Sequence, residues 1–200
     1  LEKILPKIDY VITSTDEQMG FYQKFGISAE KCIKTPLFFD VKRLFDIEPT
    51  RGGYFVCIAQ NRLEKGFHFL PKILKHCEGS IKIIVAYNNK KQATIAIINY
   101  GFQKFIDKGV LEIRYDLKWE FGLAELVAES LGVIIPSIWP TTTEYGFLEA
   151  LGYKKPVFTF DVGVHREEII NGVNGFKASL GDCKTIAQQL GAIKEDDKLF

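Results

Sequence analysis

Three polar segments of the chain carry side chains that could bind a phosphorylated ligand. The first is residues 60–66, Gln-Asn-Arg-Leu-Glu-Lys-Gly, in which Arg62 and Lys65 precede Gly66 and a helical pattern. A helix N-terminus offers amide groups and a favourable dipole to an anion, and Lys and Arg add positive charge. The segment predicts phosphate binding, with a solvated basic loop as the alternative. Neither G-x-G-x-x-G nor G-x-x-x-x-G-K-[S/T] occurs, so the chain has no dinucleotide fingerprint and no P-loop.

The second segment, residues 136–151, leaves an apolar strand pattern, crosses a polar loop and enters a helix that carries Glu149 among apolar neighbours. A carboxylate is costly to bury without a partner. Glu149 therefore either faces solvent or accepts hydrogen bonds from ligand hydroxyls. The two neighbouring hydroxyls of a ribose would satisfy both of its oxygens.

The third segment, residues 161–168, follows another strand pattern and combines Gly163, His165 and two carboxylates, Glu167 and Glu168. A lone histidine is more often structural or exposed than catalytic, and the two carboxylates could simply complement a helix N-terminus. This segment therefore indicates a ligand contact only in combination with the other two.

Strand and helix patterns alternate along the chain and must position these segments. Turn signals separate them. The predicted strands are residues 10–13, 31–35, 54–59, 81–86, 110–115, 133–136, 156–160 and 175–178. The predicted helices are residues 14–26 (opened by a Ser14-x-x-Glu17 capping box), 67–77, 90–107, 119–130, 147–151, 166–170 and 184–190. This alternation predicts a Rossmann-like α/β fold, an open parallel sheet with helices on both faces and a ligand crevice at the carboxyl ends of its strands.

Composition limits the function classes. The chain of 200 residues is 46% hydrophobic and 26% charged with a net charge of +1, which excludes intrinsic disorder and gives no electrostatic footprint for nucleic acid. No apolar run approaches the ~18 residues of a membrane-spanning helix, and no secretory signal is visible. Its 4 cysteines are scattered without paired spacing. They predict buried thiols in a reducing compartment, so we expect a cytoplasmic protein, with peripheral membrane association left open.

Taken in order, the three segments resemble the C-terminal half of retaining glycosyltransferases of the GT-B fold, in the large family four group. From residue 136 to residue 176 the resemblance needs no gap. The matching residues are Lys65-Gly66, 136–140, 148–151, Pro156-Val157, 161–163, Glu167 and 171–176. Residues 9–14 and 35–40 resemble the end of the family's N-terminal domain and the crossing that follows. The resemblance therefore implies that residues 1–40 end an N-terminal domain and that residues 41–200 form a nucleotide-sugar-binding domain.

The resemblance implies roles for individual residues. Lys65, with Arg62 nearby, would neutralise the donor diphosphate, so that no metal or other cofactor is required. Glu149 would hold the ribose hydroxyls. The remaining donor contacts are expected from Gly66, Thr141, Gly163, His165 and Glu167. The implied reaction transfers a sugar from a nucleotide-sugar to an acceptor hydroxyl of a glycan, a lipid or a small molecule, with retention at the anomeric carbon.

Three positions depart from the family pattern. The family Arg falls at Gln60, the first Glu of its pair at Thr141, and its Gly at Glu144. Either Glu144 takes the catalytic role of that Glu by a different path, or the usual contact to the donor sugar is absent. Because the acceptor site of the family lies mostly on an N-terminal domain, such a domain or a partner chain would have to supply it. One alternative is a non-catalytic module that binds a nucleotide, a glycan or a protein. Another is a different GT-B-like enzyme, such as a nucleotide-sugar epimerase or a phosphorylase.

Overall fold

The computed structural model describes residues 7–35, 38–58, 62–77, 81–142 and 144–196. Its main body is a six-stranded parallel sheet in the order β5-β4-β3-β6-β7-β8. The strands of this sheet are β3 (Phe55–Ile58), β4 (Ile83–Ala86), β5 (Leu111–Arg114), β6 (Gly132–Ile135), β7 (Val157–Phe160) and β8 (Gly175–Ala178). A separate parallel pair consists of β1 (Val11–Thr13) and β2 (Cys32–Lys34), with Ile12 beside Ile33. The predicted α/β fold with an open parallel sheet is confirmed.

Helices cover both faces of the large sheet. The first helix, α1 (Asp16–Lys24), packs instead against β1 and β2. The helices on the large sheet are α2 (Leu70–His76), α3 (Lys90–Tyr100), α4 (Gln103–Ile106), α5 (Leu123–Ala128), α6 (Tyr145–Gly152), α7 (Gly163–Glu168) and α8 (Cys183–Glu195). Alternate strand residues enter two separate apolar cores. Phe55 and Cys57 of β3 pack with α2 and α8 on one face, whereas Val56 packs with α5 and α6 on the other.

The strand order reverses between β3 and β6. From β3 the chain proceeds outward through β4 to β5, and from β6 it proceeds the opposite way through β7 to β8. In open parallel sheets the crevice outside the carboxyl ends of the strands at such a reversal is the usual ligand site. The segments that follow β3 and β6 therefore meet where a ligand crevice forms.

Several helices differ from their predicted bounds. For example, α7 begins at Gly163 and not at residue 166, and α8 continues to Glu195. Three other corrections have a cause that the caps and the backbone show. The first helix begins one residue later than the Ser14 capping box requires: Thr15 is its N-cap and accepts from the Gln18 amide at 3.1 Å, while Gln18 accepts from the Ser14 amide at 3.0 Å. The N-cap is thus Thr15, the last residue with extended backbone, and the Gln18 side chain reaches back to the amide of the preceding residue, Ser14.

The other two corrections come from glycines in left-handed conformation. The helix predicted over residues 90–107 is interrupted by Gly101, at φ 63°, which ends α3 before α4 begins. The helix predicted over residues 119–130 starts only after Gly122, at φ 83°, so it is reduced to α5. In both places the helical spacing of apolar residues continues past a backbone conformation that a helix cannot contain.

Candidate functional site

The loops after β3 and β6 are packed directly against each other. After β3, residues Leu63–Lys65 form a 3-10 turn that ends at Gly66, with φ 67°. A side chain on Gly66 would place its Cβ 1.7 Å from the carbonyl oxygen of Pro136. The Ile138 amide also donates to the carbonyl of Glu64 at 3.0 Å. The position of Lys65 is therefore fixed by backbone contacts with the loop after β6.

Lys65 forms an ion pair with Glu144, which immediately precedes α6. Its Nζ lies 2.8 Å from Glu144 Oε1, and the two side chains are 22% and 13% exposed. The hydroxyl of Ser137 donates to the other oxygen, Oε2, at 3.0 Å. Ser137, just after β6, is itself buried. One carboxylate thus receives a cation and a hydroxyl from two different loops.

His165, on α7, faces the same carboxylate from inside the protein. The ring is fully buried and packs edge-on against Phe147 of α6. Its Nδ1 lies 3.0 Å from the hydroxyl of Thr159 on β7. Its Nε2 has no hydrogen-bond partner among the described residues and lies 3.6 Å from Glu144 Oε2, too far for a hydrogen bond. Burial lowers the pKa of His165 to about 4; the Glu144 carboxylate opposes this and the Lys65 ammonium adds to it.

A cavity of about 340 Å³ opens beside this cluster at the carboxyl ends of β3 and β6. Lys65 and Glu144 line one part of it, and Glu149 lines another. Glu149, on α6, is only 5% exposed. Apolar side chains complete the wall: Ile58, Phe67, Trp119, Leu123, Ile135 and Pro136. The cavity therefore combines one cation, two carboxylates and an apolar surface, a combination suited to an organic phosphate.

Two predicted donor-binding residues, Thr141 and Gly163, lie together at the start of α7. The Val164 amide donates to the Thr141 carbonyl at 2.8 Å, and a Cβ on Gly163 would lie 2.5 Å from that same oxygen. The Gly163 amide donates to the Glu17 carboxylate of α1 at 3.2 Å. Neither residue belongs to the wall of the 340 Å³ cavity, and Thr141 lines a neighbouring depression instead, so their roles in donor binding stay predictions.

Glu167 and Arg62 lie outside the wall of the 340 Å³ cavity. Glu167 accepts from the Asp16 amide at 2.7 Å and from Lys34 Nζ at 2.7 Å, so its carboxylate joins α7 to the segment around β1 and β2. Arg62 is exposed and lies 3.8 Å from Glu64. With Lys65 and Thr141 it lines a neighbouring depression. Gln60 falls outside the described residues, and the roles expected of Arg62 and Glu167 stay predictions.

Two side chains of the cluster were not among the predicted site residues. Ser137 belongs to the Pro136-Ser137 pair that carried the family resemblance, so a signal for it was present in the sequence. Thr159 lies within a buried strand pattern, and nothing in the sequence indicates that its hydroxyl meets His165. The described part of the chain contains no group of three or more His, Cys, Asp or Glu residues that could hold a metal ion. No helix within it is long and apolar enough to cross a membrane.

Three similar solved structures are larger proteins than this chain. Sucrose-phosphate synthase from Thermosynechococcus elongatus has a TM-score of 0.80 and 15% identity over 99% of this chain and 52% of its own. HepE from Anabaena, in complex with UDP and glucose, has a TM-score of 0.77 and 16% identity over 100% of this chain and 59% of its own. TarM from S. aureus, in a complex that includes UDP, has a TM-score of 0.75 and 15% identity over 99% of this chain and 39% of its own.

These likenesses establish the fold: the chain has the α/β architecture of a GT-B glycosyltransferase domain. It spans 39% to 59% of the length of the three structures. No protein-family model matches the sequence, and no curated protein sequence matches it.

Proposed function

We propose that this chain is the donor-binding part of a retaining glycosyltransferase of the family four group that uses a UDP-sugar. The observation that carries this proposal is the joint presence of Lys65 and Glu149 on one cavity at the strand-order reversal of a GT-B-like sheet. A cation for phosphate and a buried carboxylate for hydroxyls are the two groups that a nucleotide-sugar needs most. The choice of uridine is supported by the UDP bound in the HepE and TarM structures.

Each part of the donor has a matching part of the cavity. In this proposal Glu149 accepts hydrogen bonds from the ribose hydroxyls, since it lines the cavity from α6 and a carboxylate accepts hydrogen bonds from hydroxyl groups. Lys65 binds the diphosphate. The apolar wall around Trp119 and Leu123 receives the base. The backbone of Gly163 and Thr141 lies toward the sugar side.

The proposed reaction moves one sugar without a resident cofactor. The bond between the anomeric carbon and the diphosphate oxygen breaks, and its electron pair goes to that oxygen. The acceptor hydroxyl forms a new bond to the anomeric carbon on the same face, and its proton goes to the departing phosphate. Lys65 stabilises the charge that develops on the phosphate, which is the largest contribution a fixed cation makes to such a step.

The acceptor is proposed to be a hydroxyl of a glycan, a lipid or a small molecule. In this proposal residues 1–40 end an N-terminal domain, and the acceptor site is completed by that domain or by a partner chain. We place the reaction in the cytoplasm, where nucleotide-sugars are made, with peripheral membrane association as a further option for a lipid acceptor.

Nucleotide binding is the first test of the proposal. Thermal unfolding is followed with UDP, GDP, ADP, CMP and dTDP at about 1 mM each. A ligand present at about 100 times its Kd stabilises the folded chain by about 2.7 kcal/mol, which raises the Tm by roughly 5 to 11 °C. UDP is expected to give this rise, and Lys65→Ala and Glu149→Ala are expected to abolish it. Lys75→Ala and Glu168→Ala, exposed residues of the same types, are the controls.

Catalysis and retention need a second measurement. Wild type is incubated with UDP-glucose, and the anomeric configuration of the released or transferred glucose is read by proton NMR before mutarotation. Retention is expected, at a rate that Lys65→Ala lowers at least tenfold. UDP binding without any turnover would replace the enzyme by the non-catalytic nucleotide-binding module, and absence of binding by every nucleotide would overturn the proposed donor site.

A further inference from the structure

We propose that Glu144 is a proton-linked positioning residue: it holds Lys65, gives it up to the incoming diphosphate, and then takes a protonated His165 as its new partner. This inference rests on the proposed function, because it assumes that a nucleoside diphosphate binds at Lys65. It adds to that function an exchange of partners and a proton taken from solvent when the donor binds.

The geometry places the carboxylate between its two partners. Glu144 Oε1 is 2.8 Å from Lys65 Nζ, and Oε2 is 3.6 Å from His165 Nε2. The Ser137 hydroxyl at 3.0 Å holds Oε2 in place independently of Lys65. A small rotation of the carboxylate or the imidazole would bring the second pair within hydrogen-bond distance. The carboxylate is therefore anchored at a point from which either cation can be reached.

The buried nitrogen of His165 is the group that this exchange would satisfy. The ring is fully buried, and its Nε2 has no hydrogen-bond partner in the described part of the chain. The other nitrogen is already engaged by Thr159. A buried polar atom left without a partner is costly and requires an explanation. When Nε2 carries a proton, it can donate a hydrogen bond to the Glu144 carboxylate, and the buried nitrogen is then satisfied.

The charges around His165 determine when it binds the proton. Lys65 lowers the pKa of His165 and Glu144 raises it. On the face of the sheet that carries α6, β3 contributes Val56 and Ile58, which carry no charge. Thr159 from β7 and Phe147 from α6 carry no charge. Arg166, beside the ring on α7, is exposed and lies 3.6 Å from the Glu17 carboxylate.

Lys65 and Glu144 are therefore the two charges that control the protonation of His165. When Lys65 moves to a diphosphate, its positive charge is neutralised and Glu144 loses its cation. Both changes favour the imidazolium form of His165. Binding of the diphosphate is thus coupled to uptake of a proton.

The first experiment needs no nucleotide. Ring resonances of the 3 histidines are followed by NMR from pH 3.5 to 8, and the His165 signal is identified by its loss in His165→Asn. Replacement Lys65→Met is expected to raise the pKa of His165 by about one unit or more. The control is Lys72→Met, because Lys72 lowers the pKa of His68 instead. It is expected to move His68 and leave His165 unchanged. An identical His165 titration in wild type and Lys65→Met would overturn the inference.

The second experiment measures the proton directly. UDP is titrated calorimetrically at pH 6 in two buffers of different ionisation enthalpy, into wild type and into His165→Asn. Wild type is expected to take up about 0.5 proton more per UDP than the variant, and the ionisation of UDP itself cancels in this difference. Glu144→Gln is expected to bind UDP several-fold more tightly, because Lys65 is then free of its competitor, and without the extra proton.

The outcomes separate this inference from the proposed function. UDP binding with equal proton uptake in wild type and His165→Asn, or weaker binding by Glu144→Gln, overturns the exchange and leaves the donor site standing. No UDP binding by any of the proteins overturns the donor site and the diphosphate exchange together.

Discussion

Each end of the large sheet holds one well-positioned lysine, and the two lysines have different partners. At the carboxyl ends, Lys65 lies 2.8 Å from the Glu144 carboxylate. At the amino ends, Lys155 is buried and donates to two backbone carbonyls, those of Thr50 and Ser130, at 2.5 and 2.8 Å. Burial and the nearby Arg51 lower the pKa of Lys155 to about 8.

The partners decide what each lysine can do. A carboxylate on a loop can release its cation to a competing anion, since a ligand phosphate is also negatively charged and can replace the carboxylate as its partner. Backbone carbonyls carry no net charge and cannot move away with a ligand, so Lys155, which is buried, remains with them. Lys155 therefore connects three segments of the fold, whereas Lys65 is available to a ligand.

The largest effect is expected from a change in the backbone that holds Lys65. Gly66→Ala would bring a Cβ to 1.7 Å from the Pro136 carbonyl oxygen at a φ of 67°, so the two loops would have to separate. We expect a loss of about 4 kcal/mol in the free energy of unfolding and loss of UDP binding. The measurement is urea unfolding together with the UDP thermal shift.

The control for this substitution is Gly101→Ala. Gly101 has a similar φ of 63°, but nothing lies within 4 Å of the Cβ it would gain. It isolates the strain of the left-handed conformation, about 1 to 2 kcal/mol. Equal losses in the two variants would show that the contact with Pro136 does not hold the Lys65 loop.

The second effect is the pH dependence that the buried imidazole adds to stability. His165 has a pKa of about 4 in the folded chain and an ordinary value of 6.5. Between these two values the unfolded chain binds more protons, so the free energy of unfolding falls as the pH falls from 6.5 to 4, by about 3 kcal/mol in total. Above pH 6.5 this group adds no pH dependence.

The test compares urea unfolding of wild type and His165→Asn at several pH values from 4 to 7. The difference between the two curves isolates the histidine from the carboxylates that titrate in the same range. We expect wild type to lose more stability than the variant over this interval. Parallel stability curves for the two proteins would mean that His165 becomes protonated in the folded chain at its ordinary pKa. Water would then have to reach the buried cluster.

The fold could be predicted from the sequence because each element has a local cause. Alternating residues of β3 supply both cores, and the apolar spacing of α6 and α8 is visible in the chain. The errors were local as well: Gly101 and Gly122 interrupt helical patterns, and apolar spacing does not report the sign of φ. Thr15 rather than Ser14 caps α1 because two adjacent hydroxyl residues offer the same signal.

The site was predicted less completely, because its contacts join distant segments. The resemblance selected Lys65, Glu149 and His165, and Glu144 was noted as a departure from its pattern. The fold brings Lys65 and Glu144 into one ion pair. That Glu144 also faces His165 depends on how α6 and α7 pack, which no spacing in the sequence reports. Glu167 was expected at the donor, yet its carboxylate lies on α1 and Lys34. The roles of all these residues in binding stay predictions.

The third effect separates the two lysines directly. Lys155→Ala removes the ammonium donor from the buried Ser130 carbonyl and from the Thr50 carbonyl, and we expect it to cost about 2 kcal/mol of unfolding free energy. Lys65→Ala removes a partly exposed ion pair and is expected to cost less than about 1 kcal/mol. UDP binding should show the reverse order, lost in Lys65→Ala and kept in Lys155→Ala. Chemical unfolding gives the order of the two stability losses, and calorimetry gives the order of the two affinity losses. If the same variant showed the larger loss in both measurements, the comparison of the two lysines would be contradicted.

The smallest effect comes from two serines at opposite ends of β6. Ser137 and Ser130 are each 1% exposed; Ser137 donates to the Glu144 carboxylate at 3.0 Å, and Ser130 donates to the Val127 carbonyl at 2.8 Å. Since each loses one buried hydrogen bond on replacement by Ala, we expect a similar cost of about 1 kcal/mol for both.

Only Ser137→Ala should affect the ligand. Without its hydroxyl, Glu144 depends more strongly on Lys65 and gives it up less readily, so UDP should bind a few-fold more weakly. Ser130→Ala should bind UDP as wild type does, because its partner, the Val127 carbonyl, lies near the amino end of β6, away from the cavity. Calorimetric Kd values for the pair decide this, and equal affinities would mean that the Ser137 hydroxyl supports the fold of the loop without tuning the partner of Lys65.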